Sequence, residues 1–414
     1  MDRRVVIVGM GVLSPLGNTT GELWANLLAG RSGIGPITRF DASSFPVRIA
    51  GELKGFDPLA FLEPKDLKKM DPFIQYAMAA GQMAVEDAGL RLSPQRASRA
   101  GVVVGSSRGG VVSLEQAWSG LQARGLKGVS PFLTPMSLIH MAAGFLAMRL
   151  GLRGPSLGIS TACASGTHAL GEAFRLIKAG HADLMIAGGT EAPLCPTLLA
   201  GFCAAKALSR RNDRPEAASR PFDAQRDGFV LAEGAGMVVL EEMHQALERG
   251  AAVYAEIAGY GTSTDTHHYT LPDPEGRGAA RAMALALEEA CLDPHDIGYV
   301  NAHGTSSREN DRMEARALYR VFGQRARCLP VSATKSMTGH MLGASGAVEA
   351  VVTALVLQRG MIPPTINHEH PDPECPLDVV PNRMRRARVG AALTASYGFG
   401  GVNACLALKR WEEE

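Results

Sequence analysis

The chain has 414 residues and very little net charge: 42 lysines and arginines balance 41 acidic residues, leaving +1. That balance argues against nucleic acid or an anionic membrane as the main partner, because both reward a large positive excess. No apolar run approaches the roughly 18 residues that cross a bilayer. The seven cysteines form no CxxC pair and, being odd in number, cannot all pair with one another, which fits a reducing, cytoplasmic setting. The N-terminal "MDRRVVIVGMGVLSPLG" has basic residues before an apolar stretch, as a secretory leader does. Gly9, Gly11, Pro15 and Gly17 break that stretch, so it reads as a first strand and turn. GxGxxG and GxxxxGK[ST] are both absent, which leaves nucleotide binding without support. No two Cys or His residues show zinc-site spacing, so no metal is expected.

What remains is 46% hydrophobic and 20% charged, an ordinary globular composition. Short apolar runs alternate with long amphipathic ones. Strands are expected near Val5–Val8, Gly101–Val104, Leu157–Ser160, Leu184–Ala187, Ala255–Ala258, Tyr299–Ala302 and Leu329–Ser332. Helices are expected over Phe73–Ala88, Cys163–Ala179, Gly278–Ala290, Asp311–Phe322 and Gly343–Gln358. This alternation implies an α/β architecture.

The halves echo one another. "AVEDAGL" at 84–90 resembles "ALEEACL" at 286–292, and "IVGMG" at 7–11 resembles "IAGYG" at 257–261. "ASGTHALGEAFRLIKAG" from Ala164 and "ASGAVEAVVTALVLQRG" from Ala344 share their opening, their closing glycine and their apolar positions. Three matches in one order imply a duplication, with similar α/β halves at 1–250 and 251–414 around one core.

The chemistry concentrates at strand ends. "TACASG" surrounds Cys163 with the smallest residues just before a helix. If Cys163 opens that helix, free backbone N–H groups and the helix dipole favour its thiolate. Most cysteines are inert core residues, but the small-residue collar and the strand-to-helix position favour a nucleophile here. "NAHGTSS" places His303 directly after a strand, and "SATKSMTGHMLGASG" places Lys335 and His340 between a strand and the second Ala-Ser-Gly helix. Most lone histidines are satisfied core or surface groups; His181, His244, His295, His368 and His370 read that way. One thiol with two imidazoles points to acyl chemistry on thioesters.

These residues carry a resemblance. "TACASG", "NAHGTS", "TKSMTGHMLGASGAVEA" and "SYGFGGVN" closely resemble, in order, the motifs of the β-ketoacyl-acyl carrier protein synthases, condensing enzymes of the thiolase superfamily, and the elongating type II enzymes fit best. The resemblance implies a duplicated five-layered αβαβα fold, a homodimer, and acyl carrier protein as partner, with no cofactor of the enzyme's own because phosphopantetheine arrives on the carrier. It implies that Cys163 accepts an acyl chain, and that malonyl carrier protein then loses CO2 and extends that chain by two carbons. His303 and His340 would hold the enolate oxygen. The backbone N–H groups of Cys163 and Phe399 would hold the tetrahedral oxyanion, with Gly398 and Gly400 letting Phe399 swing as a gate. Lys335 and Glu349 match a buried pair that organises the site. Thr270 and Thr305 match hydroxyls on the pantetheine arm, and Asp311 and Glu314 match structural acids behind the histidine loop. Lys65, Lys68, Lys69, Lys127 and Lys206 match a basic surface for the acidic carrier protein.

The pattern departs from the family at Arg108 in "GSSRGG", where an apolar residue usually lines the acyl tunnel. "SSREND" after His303 also lacks the family's Thr-Pro. A ketosynthase of polyketide or specialised lipid assembly fits the motifs almost as well. A non-catalytic chain-length partner subunit would lack the nucleophile that Cys163 supplies.

Overall fold

The computed structural model describes residues 3–412. Ten strands form one sheet: β1 (Val5–Leu13), β2 (Ala100–Gly105), β3 (Ser156–Ile159), β4 (Leu184–Glu191), β5 (Gly234–Glu242), β6 (Ala255–Thr264), β7 (Ile297–Asn301), β8 (Val331–Ser332), β9 (Ala391–Gly398) and β10 (Val402–Arg410). Their order across the sheet is β8-β7-β9-β10-β6-β1-β5-β4-β2-β3. From the middle outward, each half therefore runs first strand, fifth, fourth, second, third. Pairing directions repeat as well: β1–β5 and β5–β4 are antiparallel, β4–β2 and β2–β3 parallel, and β6–β10, β10–β9, β9–β7 and β7–β8 follow suit. The halves join where β1 lies antiparallel to β6, with Val5 opposite Ile257 and Ile7 opposite Ala255.

The main helices are α1 (Pro72–Asp87), α2 (Val111–Arg124), α3 (Met141–Leu150), α4 (Ser165–Lys178), α5 (Arg277–Glu289), α6 (Arg308–Phe322) and α7 (Ser345–Arg359). α4 and α7 form the central layer, whose apolar core also takes side chains from both sheet halves. α1 covers the outer face of the first half and α5 and α6 that of the second, giving five layers, αβαβα, as the family resemblance implied. Strands covered on both faces need continuous apolar runs, and β1 is buried from Val5 to Leu13.

Paired glycines explain two of the sequence echoes. A Cβ on Gly9 or Gly11 would lie 2.2 or 2.0 Å from the carbonyl oxygens of Ala84 and Ala80 on α1. One on Gly259 or Gly261 would lie 2.1 or 2.0 Å from those of Ala286 and Ala282 on α5. Each repeat thus seats its outer helix on a strand by deleting two side chains. The Ala-Ser-Gly openings do the same for the central helices: a Cβ on Gly166 would meet Gly343 O at 2.7 Å, and one on Gly346 would meet Thr167 Oγ1 at 2.0 Å. The segment Leu342–Arg359 has the length and apolarity of a membrane span, but it is 89% buried within the fold.

Candidate active site

Cys163 lies two residues before α4, which starts at Ser165 with Ala164 as its cap, and not within the helix as the sequence suggested. The reason is a tight turn. Ala162 takes a left-handed φ of 50°, and the Ser165 hydroxyl pins the loop by donating to Ala162 O (2.7 Å) and accepting from Thr161 N–H (2.9 Å). This turn lifts the sulfur off the helix axis and into a cavity of about 700 Å3. Burial pushes the Cys163 thiol up to about 12, against the opposing pull of the Lys335 charge. Burial thus opposes the helix-end stabilisation of the thiolate expected from sequence.

The second repeat supplies the groups facing that sulfur. The Cys163 Sγ and a ring nitrogen from each of His303 and His340 all lie within 4.8 Å of one another. The imidazoles cross edge-to-face, 5.4 Å between centroids at 85°. Both are buried, and both are held well below the ordinary histidine range, by burial first and then by the Lys335 charge. Neutral rings present N–H donors. His303 Nδ1 faces Lys335 Nζ at 3.3 Å and accepts from it, which puts the His303 proton on Nε2. His340 Nδ1 lies 3.0 Å from the Ser345 hydroxyl at the start of α7. Lys335 is ion-paired with buried Glu349, whose carboxyl burial raises to about 7 against the pull of Lys335.

A buried carboxylate fixes the His303 loop. Glu314 accepts from the His303 N–H at 2.7 Å and the Gly304 N–H at 2.8 Å, and burial raises it to about 8. Asp311 accepts from Phe222 N–H and Ser306 N–H and pairs with Arg226 behind the loop.

The cavity brings together Cys163, His303, His340, Thr305, Thr270, Gly398, Phe399, Arg108 and Lys206. Gly400 does not line it; this glycine turns the adjacent loop with a φ of 88° and donates its N–H to Tyr269 O. Phe399 is 40% exposed at the rim. Among the described residues, neither the Phe399 nor the Cys163 N–H donates to a backbone or side-chain oxygen. The remaining lysines lie outside the cavity. Lys65 pairs with Glu63 and Lys69 with Asp66, whereas Lys68 and Lys127 are exposed.

Sequence reasoning missed three neighbours of the site. Phe229 packs edge-on against His340 with 5.3 Å between centroids, and Tyr397 does the same to His303 at 5.5 Å. Buried Glu191 accepts from Ser107, Arg108 and Gly343 N–H groups, tying the β2 loop to the start of α7. The convergence of one thiol and two imidazoles also creates a donor set that zinc uses, which sequence spacing did not anticipate. The Lys335 ammonium beside His303 opposes a dication there.

A thiol set between two neutral imidazoles, at the crossing of paired central helices in a duplicated sheet, defines the class: a thiolase-like acyltransferase of the condensing type. The N-terminal domain of the β-ketoacyl synthases matches residues 2–246 and their C-terminal domain residues 254–369. The chain belongs to the β-ketoacyl synthase family. It is 49% identical over 408 residues to the 3-oxoacyl-[acyl-carrier-protein] synthase 2 of Coxiella burnetii, covering 99% of each chain. Among solved structures, it superposes on the ishigamide ketosynthase/chain length factor with a TM-score of 0.93, at 37% identity over 100% of both chains. It also superposes on a type II polyketide ketosynthase in complex with its acyl carrier protein and bound to the hexaketide, with a TM-score of 0.92, at 33% identity over 99% of this chain and 100% of that one.

Proposed function

We propose that the protein extends acyl chains held as a thioester on Cys163 by decarboxylative condensation with malonyl-acyl carrier protein. The observation that carries this reading is the meeting of the Cys163 sulfur with two neutral imidazoles in one cavity.

In the first stage the Cys163 sulfur attacks the acyl thioester carbonyl. The oxyanion is held by the N–H groups of Cys163 and Phe399, the bond to the pantetheine sulfur breaks, and the thiol proton passes through an adjacent imidazole to the departing sulfur. In the second stage the malonyl C–C bond breaks, CO2 leaves, and the electron pair becomes an enolate. Its oxygen accepts from His303 and His340, which, being neutral, stabilise it without protonating the carbanion. The enolate carbon attacks the acyl-Cys163 carbonyl, the C–S bond breaks, and the sulfur takes up one proton from solvent. Lys335 and Glu349 hold His303 in its donor tautomer; Glu314 and Asp311 hold its loop. Thr270 and Thr305 bind the pantetheine arm.

Acyl carrier protein is the partner, as in the polyketide complex above, and Lys65, Lys68, Lys69, Lys127 and Lys206 are its docking cations. A second copy of the chain docks along β3. That strand is the outermost of the sheet and is exposed along most of its length, an open edge that proteins normally cover. Trp118, Leu126 and Leu157 add large exposed apolar side chains. The seven unpaired cysteines fit a reducing, cytoplasmic compartment. A second reading, elongation in a polyketide or specialised lipid pathway, is favoured by Arg108 on the cavity wall.

Mass spectrometry after incubation with acyl carrier proteins of graded chain length tests the assignment. Acyl mass on Cys163, with CO2 release from malonyl carrier protein alone, is the expected result. Acylation of Cys405 instead, or no decarboxylation, overturns it.

A further inference from the structure

The internal symmetry gives Arg108 a meaning that its exposure alone does not. β2 and β7 hold the same place in their repeats. Arg108 follows the end of β2 as His303 follows the end of β7. The clamps match too. Glu191 accepts from the Ser107 N–H at 2.7 Å and the Arg108 N–H at 3.0 Å, just as Glu314 accepts from the His303 and Gly304 N–H groups. Two equivalent loops, each pinned by a buried acid at two consecutive amides, bring Arg108 and His303 to one cavity.

Arg108 differs from His303 in lacking a partner. Among the described residues no carboxylate lies within ion-pairing distance of its guanidinium. It is close enough to Cys163 for its charge to pull that thiol's pKa down. Phe202, Phe229 and Leu342 line the same cavity, and all three belong to the apolar cluster against which Cys163 packs. The wall beside the nucleophile is therefore amphipathic, with Arg108 set among hydrocarbon, while Lys206 and Arg308 also line the cavity. A saturated chain would strip water from the Arg108 cation and return no hydrogen bond. A chain carrying an oxygen acceptor would return one or two charge-assisted bonds.

We propose that Arg108 is a specificity-determining residue: it selects acyl groups whose first carbons are hydrocarbon and which carry a carboxylate or carbonyl oxygen further along, over fully saturated chains. This rests on Cys163 being the acyl acceptor. It also gives the enzyme a place in a sequence of reactions, after a step that leaves oxygen on the chain rather than removing it.

The test compares acylation rates of Cys163 by hexanoyl and adipoyl carrier proteins, which have equal length and differ in a terminal carboxylate. Wild-type protein is expected to take adipoyl at least about tenfold faster. Arg108→Leu reverses the order, and Arg108→Lys, which keeps a point charge without the fork, keeps the order with a smaller ratio. A wild-type preference for hexanoyl, or a ratio unchanged in Arg108→Leu, overturns the inference. So does an Arg108→Leu variant that loses its dimer in sedimentation but keeps its ranking, since the guanidinium would then pair across copies. Should Arg108→Leu fail to fold, as judged by thermal melting, the wild-type ratio and the Lys variant still decide. If no primer at all acylates Cys163, the underlying catalytic reading fails instead.

Discussion

The two repeats share a topology and divide the chemistry. In the first, the connection from β3 to α4 is the short stretch 160–164, and it carries Cys163. In the second, the equivalent connection from β8 to α7 runs from 333 to 344 and carries Lys335 and His340. The central helices differ accordingly. α4 keeps a polar face that includes Glu172, Arg175 and Lys178, whereas α7 is buried from Ser345 to Leu357. A short loop fixes one nucleophile on a strained turn, and a longer one has room to build an ion pair behind an imidazole. Duplication thus supplied two copies of one crevice wall, and loop length decided which copy became nucleophile and which became donor.

Removing the nucleophile breaks this division most severely. Cys163→Ser is expected to lower condensation by more than about 10³-fold, measured as β-ketoacyl product formed. Cys163→Gln likewise cannot condense but retains CO2 release from malonyl carrier protein, because the donor repeat is intact. A Gln variant that releases no CO2 would mean the repeats do not divide the work. Next in size, His303→Ala and His340→Ala should each cost roughly 10²–10³ in decarboxylation, the usual effect of losing one oxyanion donor. Acylation of Cys163 should suffer less in both, and equal losses in the two stages would contradict an enolate-specific role.

Much of this arrangement was readable in the sequence, and the misses have physical causes. Cys163, His303, Lys335 and His340 stood out because each sits among small residues at a strand end. Glu314 was named only through the family resemblance, and it clamps a loop just ten residues away. Glu191 plays the same part for a loop more than eighty residues distant, and no local pattern marks that partnership. β5 and β9 passed unnoticed because Gly234–Glu242 opens with Gly-Ala-Gly, and Ala391–Gly398 has only one β-branched residue. α2 (Val111–Arg124) was missed, whereas α7 was expected from its apolar run. α2 buries only Ser113 and carries Trp118 in the open, so its sequence lacks the stripe that reveals a core helix. The displaced start of α4 followed from Ala162, whose left-handed φ no residue preference predicts.

The two clamps sharpen the comparison at a smaller scale. Glu314→Gln and Glu191→Gln each replace a buried carboxyl, serving two backbone amides in the first case and three in the second, and each should lower unfolding stability by about 1–3 kcal/mol in urea titrations. Their functional effects should separate. Glu314→Gln releases the His303 loop and slows decarboxylation, whereas Glu191→Gln releases Ser107 and Arg108 and alters acyl preference with CO2 release less affected. Identical profiles would mean that the clamps serve stability alone.

The smallest effect is a pH dependence in which the acids and the imidazoles act in opposite directions. Glu314, raised to about 8, and Glu349, raised to about 7, hold their protons more tightly folded than unfolded. Their contribution to stability is complete below the unfolded carboxyl pKa of about 4.3, is lost as pH rises towards the folded values, and is flat above about 8. His303 and His340 behave conversely. Held well below the ordinary range, they favour the folded state above about 6.5 and cost stability as pH falls beneath it, because only the unfolded chain then takes up protons readily. Each group contributes at most about 1.4 kcal/mol per pH unit. In urea titrations across pH 4 to 9, Glu314→Gln should remove part of the decline between about 4.3 and 8, which flattens the alkaline side and steepens the rise below about 6.5. His340→Ala should flatten part of the acid limb alone. If His340→Ala moved the alkaline side as well, the donor rings and the acids behind them would titrate as one coupled unit, and the division between presenting a group and holding it in place would lose its physical basis.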